Sequence, residues 1–344
     1  MKQKVGFGII GCGVISKFHI HAIEAIEEAE LIGVYDPYAP ARERAADEYK
    51  VQAFASQEEL LGCDDIDVVC VLTPSGLHFP IAMAALEAGK HVVVEKPMAL
   101  TLADADTLIE KAESLNLKVC VISQLRFSPA VQAVRKALEE GLFGRIVSAS
   151  LSMKYYREEE YYTSSSWRGT WKMDGGGALM NQGIHGVDLL QYLVGPVKRL
   201  RGICKTQTRP METEDSAAAV LEFANGAVGT LEGSTTCYPG YPRRMEICGD
   251  KGSVVLEEGH ILRWDLPSVI PIAPVSEEGL KKSGASKPDD ISYDGHICQL
   301  QNMVNAIFGR EPLLVDAKEG RKPLEIILAI YESSQENKQV VLSK

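Results

Sequence analysis

No stretch of this sequence is apolar for long enough to span a bilayer, which needs about 20 consecutive apolar residues. Positive charge is also in short supply. The formal net charge is −11 and the pI is near 5.3, so the concentrated basic surface of a nucleic-acid-binding protein is not expected. The eight cysteines are scattered, mostly inside apolar strand or helix patterns. They have neither the paired spacing of a zinc site nor the density of a disulfide scaffold, and read as buried thiols of a reducing compartment. Met1-Lys2-Gln3-Lys4-Val5 runs straight into a strand pattern without the apolar region and cleavage site of a signal peptide. These absences together predict a cytoplasmic protein with no membrane, nucleic-acid or metal partner.

What remains is ordinary globular material, 45% hydrophobic and 24% charged, in 344 residues that suffice for two cores. The stretch around which it is organised is His91-Val92-Val93-Val94-Glu95-Lys96-Pro97. An uninterrupted β-branched run suits a central parallel strand covered on both faces. Pro97 cannot donate to a ladder, so the strand ends there and Lys96 emerges at the carboxyl end, where open parallel sheets bind ligands.

Earlier in the chain, Val5 to Ile10 reads as a strand, then Gly11-Cys12-Gly13-Val14-Ile15-Ser16 leads into a helical pattern. Gly6, Gly8 and Gly11 match the dinucleotide fingerprint literally, but Gly6 falls inside the strand. The register with Ser16 in third position has the required strand-turn-helix context. There Gly11 permits the tight turn, Gly13 lets the backbone approach a pyrophosphate, and the helix amides face it. Leu31 to Tyr35 is the next strand, and Asp36 follows it at the distance where a carboxylate binds the ribose hydroxyls of NAD and repels a 2′-phosphate. Arg42 and Arg44 lie further into the following helix.

The strand Ile66 to Thr73 opens into the loop Thr73-Pro74-Ser75-Gly76-Leu77-His78. His78 either packs as a neutral histidine or lines the cofactor site. Thr101-Leu102-Ala103-Asp104 starts a helix as a capping box, and Lys118 to Ser123 completes a dinucleotide-binding domain over residues 1–122.

From Ile146 the grammar changes to long strands with partial alternation, including a hairpin at Asn225-Gly226. Residues 123–344 therefore form an α+β domain on an open, mostly antiparallel sheet, with one face over the helix that begins near Gly177. Leu266 to Asp290 reads as a long surface excursion, and helices at Asp294–Phe308 and Glu319–Ser334 pack near the domain junction. Polar candidates gather in Trp167-Arg168 and in the run from Asp174 through Gly175-Gly176-Gly177 to Asp188, where Asn181, His185 and Asp188 share one helix face.

With Glu95-Lys96-Pro97 and Gly175-Gly176-Gly177 through His185-Gly186-Val187-Asp188 in hand, the chain resembles the glucose–fructose oxidoreductase and inositol dehydrogenase family. The resemblance extends over nearly all residues, including Gly295-His296, Pro312 and Glu319-Gly320-Arg321. It implies a Rossmann domain joined to an α+β domain whose sheet supports a homodimer or homotetramer. It also implies oxidation or reduction of a hydroxyl or keto carbon on a sugar, cyclitol or nucleotide-linked sugar.

By the same resemblance the family lysine falls on Lys96 and its catalytic histidine on His185. Trp167 and Arg168 fall near the nicotinamide, beside a cofactor set of Gly11, Cys12, Gly13, Val14, Ile15, Asp36, Thr73, Pro74, Ser75, His78, Glu95, Lys96 and Pro97. Inositol dehydrogenases carry Asp where this chain has Asn181, whereas nucleotide-sugar dehydrogenases carry Asn. The expected activity is NAD(H)-dependent hydride transfer to or from a polyhydroxylated small molecule. His185 serves as base, Lys96 stabilises charge on oxygen, and Asn181 either orients His185 or binds substrate. Inositol dehydrogenation, keto-sugar reduction, redox-assisted glycoside processing and non-enzymatic NAD(H) sensing are the competing expectations.

Overall fold

Six successive buried residues, Val5–Ile10, form β1, and the computed structural model, which describes residues 3–268 and 292–342, builds its first unit around them. The chain continues through α1 (Ser16–Glu24), β2 (Ala29–Tyr35), α2 (Ala39–Tyr49), β3 (Gln52–Ala53), α3 (Gln57–Leu61), β4 (Val68–Val71), α4 (His78–Glu87), β5 (His91–Val94), α5 (Leu102–Ser114) and β6 (Val119–Val121). All pairings are parallel in the order β3-β2-β1-β4-β5-β6. The order reverses between β1 and β4, the switch point beyond which such sheets bind dinucleotides. Local signals act as expected: Thr101 Oγ1 accepts from the Asp104 amide and starts α5.

The two units are Met1–Gln124 with Tyr293–Arg321, and Leu125–Ser292 with Lys322–Lys344. Tyr293–Arg321 joins the first unit. The cause is long-range packing. The helix α9 (Asp294–Ile307) places Leu300, Met303 and Val304 in one core with Phe7, Ile20 and Ile23. Gln299 accepts from the Ser123 amide at 2.9 Å and donates to the Val121 carbonyl at 2.8 Å, so its side chain satisfies the edge of β6. The expected surface excursion falls mostly on residues 269–291, outside the described residues.

The second unit contains α6 (Pro129–Glu139), β7 (Ile146–Lys154), α7 (Glu159–Thr163), α8 (Ile184–Val194), β8 (Val197–Lys205), β9 (Ser216–Phe223), β10 (Val228–Ser234), β11 (Arg244–Gly249), β12 (Ser253–Glu257) and β13 (His260–Asp265). The helix α10 (Ala317–Glu336) begins in the first unit and ends in the second, before β14 (Val340–Val341). The sheet runs β13-β12-β11-β7-β10-β9-β8-β14. It is antiparallel except for the β7–β10 pair.

Helix α8 packs on β7, where a Cβ on Gly186 would come within 2.5 Å of Met153 Sδ. The opposite strand face exposes Ile203, Val220 and Val228. Among the described residues no helix is long and apolar enough to cross a membrane.

Candidate active site

The turn after β1 is fixed by its neighbours. Gly11 has φ +105°, and a Cβ there would lie 2.7 Å from the Leu72 carbonyl oxygen at the end of β4. Only glycine fits this approach without strain. Gly13 faces the other way: a Cβ on it would meet nothing within 4 Å. Ser16 Oγ donates to the Gly13 carbonyl at 2.7 Å, and the first turn of α1 has no side-chain cap. Exposed Gly13 and Val14 therefore leave open space before uncapped helix amides, which fits a pyrophosphate. Gly6 and Gly8, by contrast, are buried inside β1.

Asp36 closes the same turn from the end of β2. One carboxylate oxygen accepts from the Cys12 amide and the other from the Tyr38 amide, each at 2.8 Å. Burial and the nearby Asp36 charge push the Cys12 thiol up to about 12, so it is neutral and packs. Arg42 donates to the Asp36 carbonyl at 3.3 Å.

His78 takes the packed alternative. It is 1% exposed, with Nδ1 2.7 Å from the Pro97 carbonyl and Nε2 2.8 Å from the Thr73 carbonyl. Burial pushes its pKa down while both carbonyls pull it up. The ring thus clasps the Thr73-Pro74-Ser75 loop to the Lys96-Pro97 turn. Lys96 is half-buried there, after buried Glu95.

The other candidates belong to the second unit. Asp174, the first residue of the polar run before the three glycines, organises this segment. Its carboxylate accepts from the Gly169 amide at 2.9 Å and from Asn181 Nδ2 at 2.6 Å, which fixes the Asn181 amide orientation. Glu214 accepts from the Gly177 and Leu179 amides and from Tyr331 Oη; burial pushes its pKa up to about 7 against those donors.

Residues Ala178–Gly183 form a π-helical turn rather than the start of the α-helix. Asn181 is therefore in the widened segment and half-buried His185 in the first turn of α8, so the expected shared α-helical face is broken between them. Asp188 is occupied by Arg126, which donates from Nε at 2.8 Å and Nη2 at 2.6 Å, both groups buried. Its role is structural.

Trp167 and Arg168 also lie in this unit, in a group that includes Arg157 and Arg209, two residues the sequence reading missed. Arg168 stacks over Tyr161 at 4.2 Å and Arg209 over Tyr156 at 5.3 Å. Arg209 Nη2 donates to the Arg157 carbonyl at 2.5 Å, and buried Arg157 lies 5.9 Å from the Tyr161 ring centre. Gln182, next to Asn181, donates to Tyr161 Oη at 3.0 Å. Among the described residues, the buried Nε of Arg168 and that of Arg209 each lack a hydrogen bond. Arginines set among Tyr155, Tyr156, Tyr161 and Tyr162 in an acidic chain were the available signal.

The architecture has known counterparts. Residues 5–123 match the oxidoreductase family with an NAD-binding Rossmann fold, and residues 131–255 match the GFO/IDH/MocA C-terminal domain. The chain is 33% identical to the WlbA dehydrogenase of Bordetella pertussis, whose crystal structure is a complex with NADH and UDP-GlcNAcA; the TM-score is 0.89 with 99% of each chain covered. The chain belongs to the GFO/IDH/MocA family.

This GFO/IDH/MocA member is 28% identical over 330 residues to the UDP-N-acetylglucosamine 3-dehydrogenase of Acidithiobacillus ferrooxidans, covering 94% of this chain and 95% of that protein. It is 29% identical over 286 residues to the levoglucosan dehydrogenase of Pseudarthrobacter phenanthrenivorans, covering 74% and 73% respectively. It is an NAD-dependent oxidoreductase acting on a CH–OH or keto carbon.

Proposed function

We propose that the substrate, within the family's range of sugars, nucleotide sugars and cyclitols, is a nucleotide-linked sugar. The observation that carries this is the Arg157, Arg168 and Arg209 group among tyrosines. Guanidinium groups bind phosphate oxygens through paired N–H donors, and partly desolvated ones require an anion far more than a neutral cyclitol would. Asn181, in place of the Asp of inositol dehydrogenases, supports the same subfamily. So do the ligand of the WlbA dehydrogenase complex and the name of the Acidithiobacillus enzyme. A panel of nucleotide sugars, free sugars and cyclitols tests it, with reduced nicotinamide and keto product followed together. Arg209→Gln raises KM for the nucleotide sugar by roughly 10- to 100-fold with little change in kcat, because the lost contact is made equally in ground and transition states. Faster turnover of a neutral cyclitol than of any nucleotide sugar contradicts the assignment.

Gly11, Cys12, Gly13, Val14 and Ile15 would hold the pyrophosphate of NAD and Asp36 its adenosine ribose, with the Thr73-Pro74-Ser75 loop, Glu95, Lys96 and Pro97 as further cofactor contacts. Bound NAD supplies the hydride acceptor or donor. The chain handles the proton. His185 takes the proton from the substrate hydroxyl in oxidation and returns it in reduction. Lys96, as an ammonium, donates a hydrogen bond to the same oxygen and stabilises its developing negative charge. Asn181, oriented by Asp174, holds a neighbouring hydroxyl or the His185 ring.

Asp36 selects NAD over NADP, since its carboxylate would repel a 2′-phosphate. Comparative titration should give NAD the tighter binding, and Asp36→Asn should narrow the gap; tighter NADP binding by the unaltered protein contradicts it. The exposed apolar face of the second unit's sheet is covered by another copy, because Ile203, Val220 and Val228 are 63%, 59% and 60% exposed there. Light scattering after size exclusion is expected to show a dimer or dimer-based tetramer, against a monomer persisting at micromolar concentration.

A further inference from the structure

Beside Lys96 lies a buried ionisable group that the proposed chemistry leaves unused. Glu95, 7% exposed, has one carboxylate oxygen 3.0 Å from His19 Nε2. The other accepts from the Lys96 backbone amide at 3.2 Å. His19 is on α1, within a turn of Ser16, and is fully buried. His296, on α9, meets His19 edge-on with ring centres 5.4 Å apart. It is 1% exposed, and neither of its ring nitrogens has a hydrogen-bond partner among the described residues.

Ligand-type atoms of His19, Glu95 and His296 lie within 4.8 Å of one another, a span that suits a small cation. However, His19 Nε2 and both Glu95 oxygens are already directed to each other and to the Lys96 amide. The arrangement is that of a hydrogen-bonded histidine–carboxylate pair. Burial works against ionising Glu95, yet the His19 hydrogen bond and charge, followed by the Lys96 charge, hold its pKa well below the ordinary carboxylate value. Burial pushes His296 down to about 4, leaving it neutral.

A buried carboxylate is costly to desolvate unless it is paired, so an apolar strand end would be simpler to fold. What the carboxylate adds is a hydrogen-bonded link between two segments, the helix that follows the glycine turn and the Lys96 turn.

We infer that Glu95, held by His19, is a positioning residue that fixes the Lys96 turn and keeps the Lys96 side chain an ammonium. This rests on the reading of Lys96 as the group that stabilises the substrate oxygen. The groups that face Glu95 are His19 from α1, His296 from α9, Cys70 from β4, His78 from α4 and Lys96 itself, and of these His78 also feels both Glu95 and Lys96. Glu95 supplies the negative charge among them. An adjacent negative charge favours the protonated amine, so removing it makes Lys96 lose its proton at lower pH.

The test compares Glu95→Gln, Glu95→Asp, His19→Asn and Lys96→Met in the full chain. It measures kcat and KM across pH, NAD affinity, melting temperature and bound zinc. Glu95→Gln is expected to move the alkaline limb of kcat down by about one pH unit or more. It should also lower kcat about 10- to 100-fold at neutral pH while NAD affinity changes by less than about threefold. Glu95→Asp keeps the charge and partly restores both, and His19→Asn, which leaves Glu95 charged in the alkaline range, lowers kcat with the limb in place; this pair of results keeps the test intact should Glu95→Gln fold poorly. A folded Glu95→Gln whose melting temperature falls while its alkaline limb stays in place overturns the inference, because the role is then packing alone. Stoichiometric zinc in the unaltered protein, lost in these variants, overturns it in favour of a metal site. Full activity of Lys96→Met removes the underlying reading of Lys96 and is thereby told apart from a failure of Glu95.

Discussion

Lys96→Met is expected to lower single-turnover hydride transfer on the order of 100- to 1,000-fold, the loss seen when one donor to a developing oxyanion is removed. Methionine keeps much of the side-chain length and removes the charge and the donors. The clasp of His78 on the Pro97 carbonyl and the bond of Glu95 to the residue-96 backbone amide do not use the lysine side chain, so the turn itself should persist. NAD affinity should change little, because the pyrophosphate turn at Gly11–Gly13 and the Asp36 carboxylate are built independently of Lys96. The loss should appear in kcat and kcat/KM together, the pattern of an interaction made in the transition state. A variant that loses affinity for substrate but keeps kcat would show that Lys96 only binds.

His185→Ala should be the larger lesion. A positioned general base contributes about 100- to 10,000-fold when proton transfer limits the step, and alanine leaves no group to take the proton. Folding should survive, since His185 is only half-buried at the first turn of α8. The buried anchor of that helix is Asp188, clamped by Arg126. Asn181→Ala should be milder, because Asn181 is held by Asp174 in the preceding π-helical turn and acts on position rather than on the proton.

The parts of this site that were legible in the sequence are those governed by local rules. Val68–Val71 and His91–Val94 are short buried runs that read as central parallel strands, Thr101 announced α5, and Asn225-Gly226 closed the β9–β10 hairpin. Gly11 and Asp36 sit at fixed offsets from strand ends, so their meeting through the Cys12 amide followed from spacing.

What was not legible depends on residues far apart. Nothing near Gln299 says that its amide will complete the edge of β6, or that Tyr293–Arg321 belongs to the first unit. The π-helical turn at Ala178–Gly183 has a wider period than the α pattern used to line up Asn181, His185 and Asp188. The parallel β7–β10 pair crosses between strands distant in sequence, and alternation alone does not report direction. His19, Glu95 and His296 come from three separate segments, and nothing in any one of them announces the other two.

The proposed chemistry turns on His185 as the proton carrier. Its most direct test is single-turnover hydride transfer by His185→Ala at saturating nucleotide sugar across pH, with NAD binding and folding measured on the same preparation. The rate is expected to fall by about 100-fold or more near neutral pH, recovering only where hydroxide replaces the base. Near-native transfer at neutral pH in a folded, NAD-binding His185→Ala protein would contradict it, even if Lys96 proved essential.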